Sequence, residues 1–176
     1  MYIGGVLMIN KRSNVFETNS SSVHTLTLGS SINDIVVGDD GYVHVELGYY
    51  GKDVNLYNNS YDKLCYALLT VCYTRGIYIG FYYGSEDPSE EAIEDWKYCL
   101  SDLMDTEEYS CIEDCVKTEL NRQNRVCYGI KIHPSECGID HQSQCYDSLE
   151  DFLSENKIEN IHDFIFGNIV LETRCD

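Results

Sequence analysis

The chain has 176 residues, 43% hydrophobic and 24% charged, enough for one domain with its own core. Thirty acids against twelve bases leave a net charge of −18, which argues against direct nucleic-acid binding and favours basic protein surfaces as partners. With two prolines and no apolar run of membrane-spanning length, the composition excludes a Pro-rich linker and a transmembrane helix.

Nine cysteines raise the question of disulfides. Their number is odd, no secretory leader pattern precedes them, and Cys65, Cys72 and Cys99 stand where apolar helical residues belong. Free thiols packed as small hydrophobes, in a cytoplasmic protein, are the expectation.

Tyr2 to Ile9 is apolar and β-prone, and Lys11-Arg12-Ser13-Asn14 is a short basic turn. Phe16 to Leu28 is the densest polar stretch of the chain. Its first half, Glu17, Thr18, Asn19, Ser20, Ser21 and Ser22, is turn chemistry, because these short side chains bond nearby backbone groups. From Val23 the pattern alternates as a strand, with His24, Leu26 and Leu28 on one side. His24 at the head of that face can serve a serine hydroxyl as a base, or it can donate to a carbonyl and only hold structure.

Gly38-Asp39-Asp40-Gly41 is a turn between Ile35–Val37 and Tyr42–Leu47, which predicts a hairpin. His44 lies in its second strand and reads as an edge residue facing water. Asn58-Asn59-Ser60 opens a helix to about Tyr73, with Asp62 in the first turn. Leu64, Ala67, Leu68, Val71 and Cys72 make one face while Cys65 and Leu69 lie elsewhere, so this helix is apolar on most sides and buried on most sides. Ile77 to Tyr83 is a further β-rich run.

Residues 86–119 hold thirteen acids against Lys97 and Lys117. Asp87-Pro88 is a helix-start signal, with Ile93, Trp96, Leu100 and Leu103 as the buried stripe. Thr106 caps a second acidic helix with the stripe Ile112, Cys115, Val116 and Leu120. Their outer faces carry Glu90, Glu91, Glu94, Asp95, Asp102, Glu107 and Glu108. Such a run is either a solvated face that aids solubility or a docking surface for a basic partner.

Arg125 to Ile132 reads as a strand ended by Pro134. A second polar stretch follows, with Asp140, His141 and Ser143, where a carboxylate can orient an imidazole. His133, Cys137, His141 and Cys145 are zinc-type ligands, but their four-residue spacing lacks the usual paired-cysteine pattern, so no metal is assigned. A helix from Tyr146 to Asn156, opened by Asp147 or Ser148, a short helical or aromatic segment from Asn160 to Phe166 and a last strand from Ile169 to Thr173 follow. If the two polar stretches meet, Glu17, Asn19, Ser20, Ser21, Ser22, His24, Asp140, His141 and Ser143 would form one acid–base or nucleophilic site, or one buried hydrogen-bond network. There is no phosphate-binding glycine loop, dinucleotide fingerprint or metalloprotease helix motif, and no cofactor is assigned.

Phe16-Glu17-Thr18-Asn19-Ser20-Ser21-Ser22-Val23-His24 resembles the amino-terminal motif of a group of small uncharacterised proteins encoded by bacteriophages and mobile elements of Gram-positive bacteria. Asp140-His141-Gln142-Ser143 and Asp163-Phe164-Ile165-Phe166 are similar to later motifs of that group. The likeness covers about a quarter of the chain and implies a phage or prophage origin; the acidic middle has no counterpart in it. It marks the same nine polar residues as candidates.

The expectation is one α+β domain over residues 1–176, with 86–123 as an acidic helical insertion or subdomain. A single mixed sheet of five to seven strands would hold a buried central helix, with the acidic helical pair on one side. The expected function is an acidic phage-type protein that binds and inhibits a bacterial defence nuclease inside the host cell, with an anti-CRISPR-like or nucleic-acid-mimic character. The alternative is an enzyme acting on a nucleotide or other phosphate-containing substrate through the Ser/His/Asp residues. Neither reading fixes an oligomeric state.

Overall fold

In the computed structural model of the protein, the described residues are 22–50, 55–77, 79, 89–135, 137–139 and 147–175. In chain order they form strands β1 (Ser22–Leu28), β2 (Tyr42–Glu46), β3 (Tyr49–Tyr50) and β4 (Asn55–Tyr57), then helices α1 (Ser60–Thr74), α2 (Glu90–Met104) and α3 (Glu107–Arg122). Strands β5 (Gly129–His133) and β6 (Gly138–Ile139), helices α4 (Leu149–Glu155) and α5 (Ile161–Phe166), and strand β7 (Ile169–Cys175) follow.

The organising element is α1. Asn59 caps it, its side-chain oxygen accepting from the Asp62 backbone N–H at 2.7 Å while its amide nitrogen donates to the Asp62 carboxylate at 2.7 Å. Every residue from Lys63 to Cys72 is buried, as expected for a helix apolar all round. Each fully buried leucine or valine of this run stabilises the fold by about 1.5–3 kcal/mol. The Tyr66 ring packs between Tyr50 on one side and Phe152 of α4 and Phe164 of α5 on the other, with centroids 5.4, 5.7 and 6.2 Å away.

Among the described residues the single sheet expected from the sequence does not form. Among the described residues the strands make three small sheets: β1-β7-β4, β2 with β5, and β3 with β6. The first is antiparallel, and Leu26, Leu171 and Tyr57 share one row across it. The other two are parallel pairs. They follow one another along the chain, with the Ser135 hydroxyl donating to the Leu47 carbonyl at 2.8 Å between them. A helix needing cover on every side explains the division. One sheet covers one side of α1; here strands and helices surround it instead.

The expected hairpin is also reduced. Val37 and Val43 form a lone antiparallel bridge, closed by Gly38 N–H to the Tyr42 carbonyl at 2.7 Å. Beyond it β2 turns to β5 as its partner. Gly41, at φ 81°, allows that turn, and Tyr128 packs where any Cβ would sit.

Lys63 is 0% exposed within α1. Its ammonium donates to the Ser31 hydroxyl at 2.8 Å and to the carbonyls of Gly167 and Ile169 at 3.0 and 3.1 Å. Burial lowers its pKa to about 8, and three acceptors satisfy the three protons it keeps at neutral pH.

The acidic helices differ from one another. In α3, capped by the Thr106 hydroxyl, Ile112, Val116 and Leu120 enter the same buried cluster as α1. Ser89 caps α2 by accepting from the Ala92 N–H at 3.2 Å. The expected cap and first-turn residue, Asp87 and Pro88, lie outside the described residues. Ile93, Trp96 and Leu100 are half-buried, and Leu103 alone of α2 is buried. No helix among the described residues is long and apolar enough to cross a membrane.

Candidate functional site

Glu17, Asn19, Ser20, Ser21, Asp140, His141, Ser143 and Cys145 lie outside the described residues. Ser22 and His24 are in β1, where His24 pairs with Thr173, itself fully buried. Thr173 also pairs with Asn55 of β4, so His24 and Asn55 are two strand spacings, about 10 Å, apart. In a separate small sheet Tyr50 pairs with Ile139, the residue immediately before Asp140.

The acidic candidates lie on α2 and the first turn of α3. Glu91, Asp95 and Asp102 recur on one face of α2 with Tyr98 between them, because intervals of four, three and four residues keep to one side of a helix. All four are exposed, Tyr98 at 69%. Glu90, Glu94 and Glu107 are exposed as well. Five of these carboxylates, Glu90, Glu91, Asp95, Asp102 and Glu107, make no ion pair among the described residues. Glu94 pairs with Lys97 at 2.7 Å across one turn. Glu108 differs: Arg75 at the end of α1 binds its Oε1, and its side chain is only 16% exposed. It is neutralised within the molecule rather than offered outward.

Farther along α3, Glu119 bridges two helices. It accepts from Arg122 at 2.8 Å, from Gln123 at 2.8 Å and from His162 of α5 at 3.2 Å. Burial pushes its carboxyl up, but these donors more than cancel that and bring it down to about 2.

A third cluster sits on the outer face of β2 and β5, and sequence reasoning did not find it. Asp40, in the turn before β2, accepts from His44 Nε2 at 2.9 Å and from Lys131 Nζ at 2.6 Å. Lys131 and His44 hold the Asp40 carboxyl well below the usual carboxylate range. His44 Nδ1 lies 2.7 Å from His133 Nε2. The Lys131 ammonium is 4.0 Å from the Tyr42 ring centre, and Tyr42 meets Tyr128 edge-on. His133 therefore turns its Nε2 to an imidazole. Among the described residues no group of three or more histidines, cysteines, aspartates or glutamates is arranged to hold a metal ion.

The signal for this cluster was present in part. Tyr42, His44 and Glu46 occupy the polar parity of β2, and Lys131 and His133 that of β5. The missing step was the parallel pairing, which the hairpin reading hid. Compared with known protein families, curated proteins and solved structures, the chain matches none.

Proposed function

We propose that the protein is a phage-type acidic inhibitor that docks the outer face of α2 and the start of α3 on a basic bacterial protein, a defence nuclease. On that reading its carboxylates stand in for nucleic-acid phosphates in the enzyme's groove, inside the host cell. One observation carries the reading: Glu90, Glu91, Asp95, Asp102 and Glu107 are exposed without an ion-pair partner among the described residues. An acidic face left unneutralised attracts a basic groove over several ångströms and steers its approach. The resemblance of the Phe16–His24 stretch to phage proteins supplies the context.

The test is capture of partners from a bacterial host lysate by the wild-type chain and by a Glu90→Lys, Glu94→Lys, Asp95→Lys variant. Bound proteins are identified by mass spectrometry. The expected result is a basic nucleic-acid enzyme held by the wild type, released by the variant, and weakened as salt rises from about 0.05 to about 0.5 M. Equal capture by both chains, indifferent to salt, would refute it.

A second reading is an enzyme for a phosphate-containing substrate, using Glu17, Asn19, Ser20, Ser21, Ser22, His24, Asp140, His141 and Ser143. It draws support from the strand pairings at the described flanks of the two stretches, His24 beside Thr173 and Tyr50 beside Ile139. On this reading a His24→Ala variant keeps its fold and loses turnover.

A further inference from the structure

We propose that Asp40, His44 and His133 form a proton-operated latch between β2 and β5, which holds through the first added proton and opens on the second. The inference is independent of the acidic face and concerns the strand that leads toward Asp140–Ser143.

Proton positions follow from the contacts. Asp40 is paired with Lys131 and remains ionised, so it can only accept. His44 Nε2, 2.9 Å away, must then carry a hydrogen. In the neutral ring that leaves Nδ1 bare, an acceptor. The 2.7 Å contact therefore requires His133 to donate from Nε2, and His133 Nδ1 is the bare nitrogen at the end of the chain.

The ring geometry fits such a bond. The two planes differ by 10° and the centroids are 5.0 Å apart. That separation is the 2.7 Å nitrogen contact plus about one ring radius on either side. The imidazoles meet edge to edge rather than face to face, as a straight N–H···N bond demands.

Acidification then acts in two steps. A first proton goes to the bare Nδ1 of His133. The shared bond survives and gains strength because its donor is now charged. A second proton can enter the pair only at His44 Nδ1. It sets N–H against N–H across the contact and places two imidazolium rings beside Lys131. The anions near them are Asp40, already paired with Lys131, and Glu46, the register partner of His133. From α3, Glu113 reaches the Gly129 end of this face, but it accepts from the Ile130 N–H at 3.1 Å and pairs with Lys117 at 3.4 Å. Tyr42 and Tyr128 add no charge. With the acceptor gone, the tie between the strands is lost.

The inner face of the ribbon is anchored by Val43, Val45, Ile130 and Ile132 in the buried core, so the tie holds its outer face and losing it loosens the pair without unfolding it. The position matters too: β5 ends at His133, and Ser135 is held to the Leu47 carbonyl just beyond. Opening the latch leaves the Ser135–Leu47 bond as the next tie on the strand end from which the second polar stretch departs.

The test combines two measurements on the full chain. Nitrogen-15 spectra of the imidazoles at about pH 7.5 should show His133 carrying its proton on Nε2, and on acidification Nδ1 of His133 should gain its proton before Nδ1 of His44. Hydrogen exchange, expressed as protection factors, should show β2 and β5 amides losing about tenfold protection between about pH 7.5 and 5, the worth of one hydrogen bond to a charged partner. In His44→Gln, whose amide can donate to Asp40 and accept from His133 but cannot titrate, the loss should stay under about twofold. The remaining histidines are common to both chains, so the difference isolates the latch. The same fall in both proteins, or a His133 proton on Nδ1 at the higher pH, would overturn the proposal. If the variant does not fold, the tautomer and order of protonation in the wild type decide the matter alone.

Discussion

Replacing Cys65 and Cys72 together by alanine tests whether α1 is as dry as its packing implies. The two thiols are 1% and 3% exposed, and burial pushes each up to about 12 from an ordinary value of 9.0. In the unfolded chain they ionise from about pH 9; in the folded chain they stay protonated. Their contribution to stability is thus complete below pH 9 and is lost as pH rises toward 12. Going from pH 8 to pH 10 costs about 1.4 kcal/mol per thiol, so about 3 kcal/mol for the pair. Lys63 acts in the opposite sense. Its folded value, about 8 against 10.5 unfolded, returns stability as pH climbs through that interval. It is present in both proteins and cancels in the comparison. At pH 8 the variant should be the less stable by about 1–2 kcal/mol, for the lost sulfur volume. By pH 10 the gap should close or reverse, having moved by about 3 kcal/mol. Urea unfolding under reducing conditions, followed by far-ultraviolet circular dichroism, measures it. A gap that stays constant over those two pH units would mean that water reaches both sulfurs, and the packing argument for α1 would fail.

Two further substitutions follow from buried charge. Glu119→Gln should cost about 2–3 kcal/mol at pH 7, because a carboxyl brought down to about 2 contributes stability above pH 4.5 that disappears as pH falls through 2; chemical unfolding at pH 7 and pH 2 checks this, and a difference that persists at pH 2 would refute it. Lys63→Ala should cost about 3–5 kcal/mol through the lost aliphatic stem and three orphaned acceptors, read from urea midpoints, and a loss below about 1 kcal/mol would show that water replaces the ammonium.

Local chemistry was the legible part of this fold. Asn59 and Thr106 cap the helices their sequence positions implied, each side chain bonding the N–H three residues on; Ser148 rather than Asp147 caps α4, and Asn160 caps α5 in the same way. The all-round burial of α1 was legible too, because its apolar residues leave no polar face to show water. Strand partnership was not. Val23–Leu28 reads as a strand at once, but nothing near it in sequence reveals that its partner is Ile169–Cys175. The same gap concealed the Asp40–His44–His133 contact, whose members lie 4 and 89 residues apart. Glu108 shows a related limit. By spacing it belongs with the exposed acids, and only the end of α1 brings Arg75 to it. Side-chain periodicity reports which face a residue takes, while ion pairs between elements depend on where the elements dock.

The ammonium of Lys63 grips Ser31 and, more than a hundred residues downstream, Gly167 and Ile169. A ribosome making this chain releases α1 long before either carbonyl exists. Until β7 emerges, that positive charge stays hydrated, and the helix carrying it cannot sink into place. These elements therefore lock shut late, once β7 has been synthesised, and a nascent chain halted before residue 167 should remain open and vulnerable to proteases.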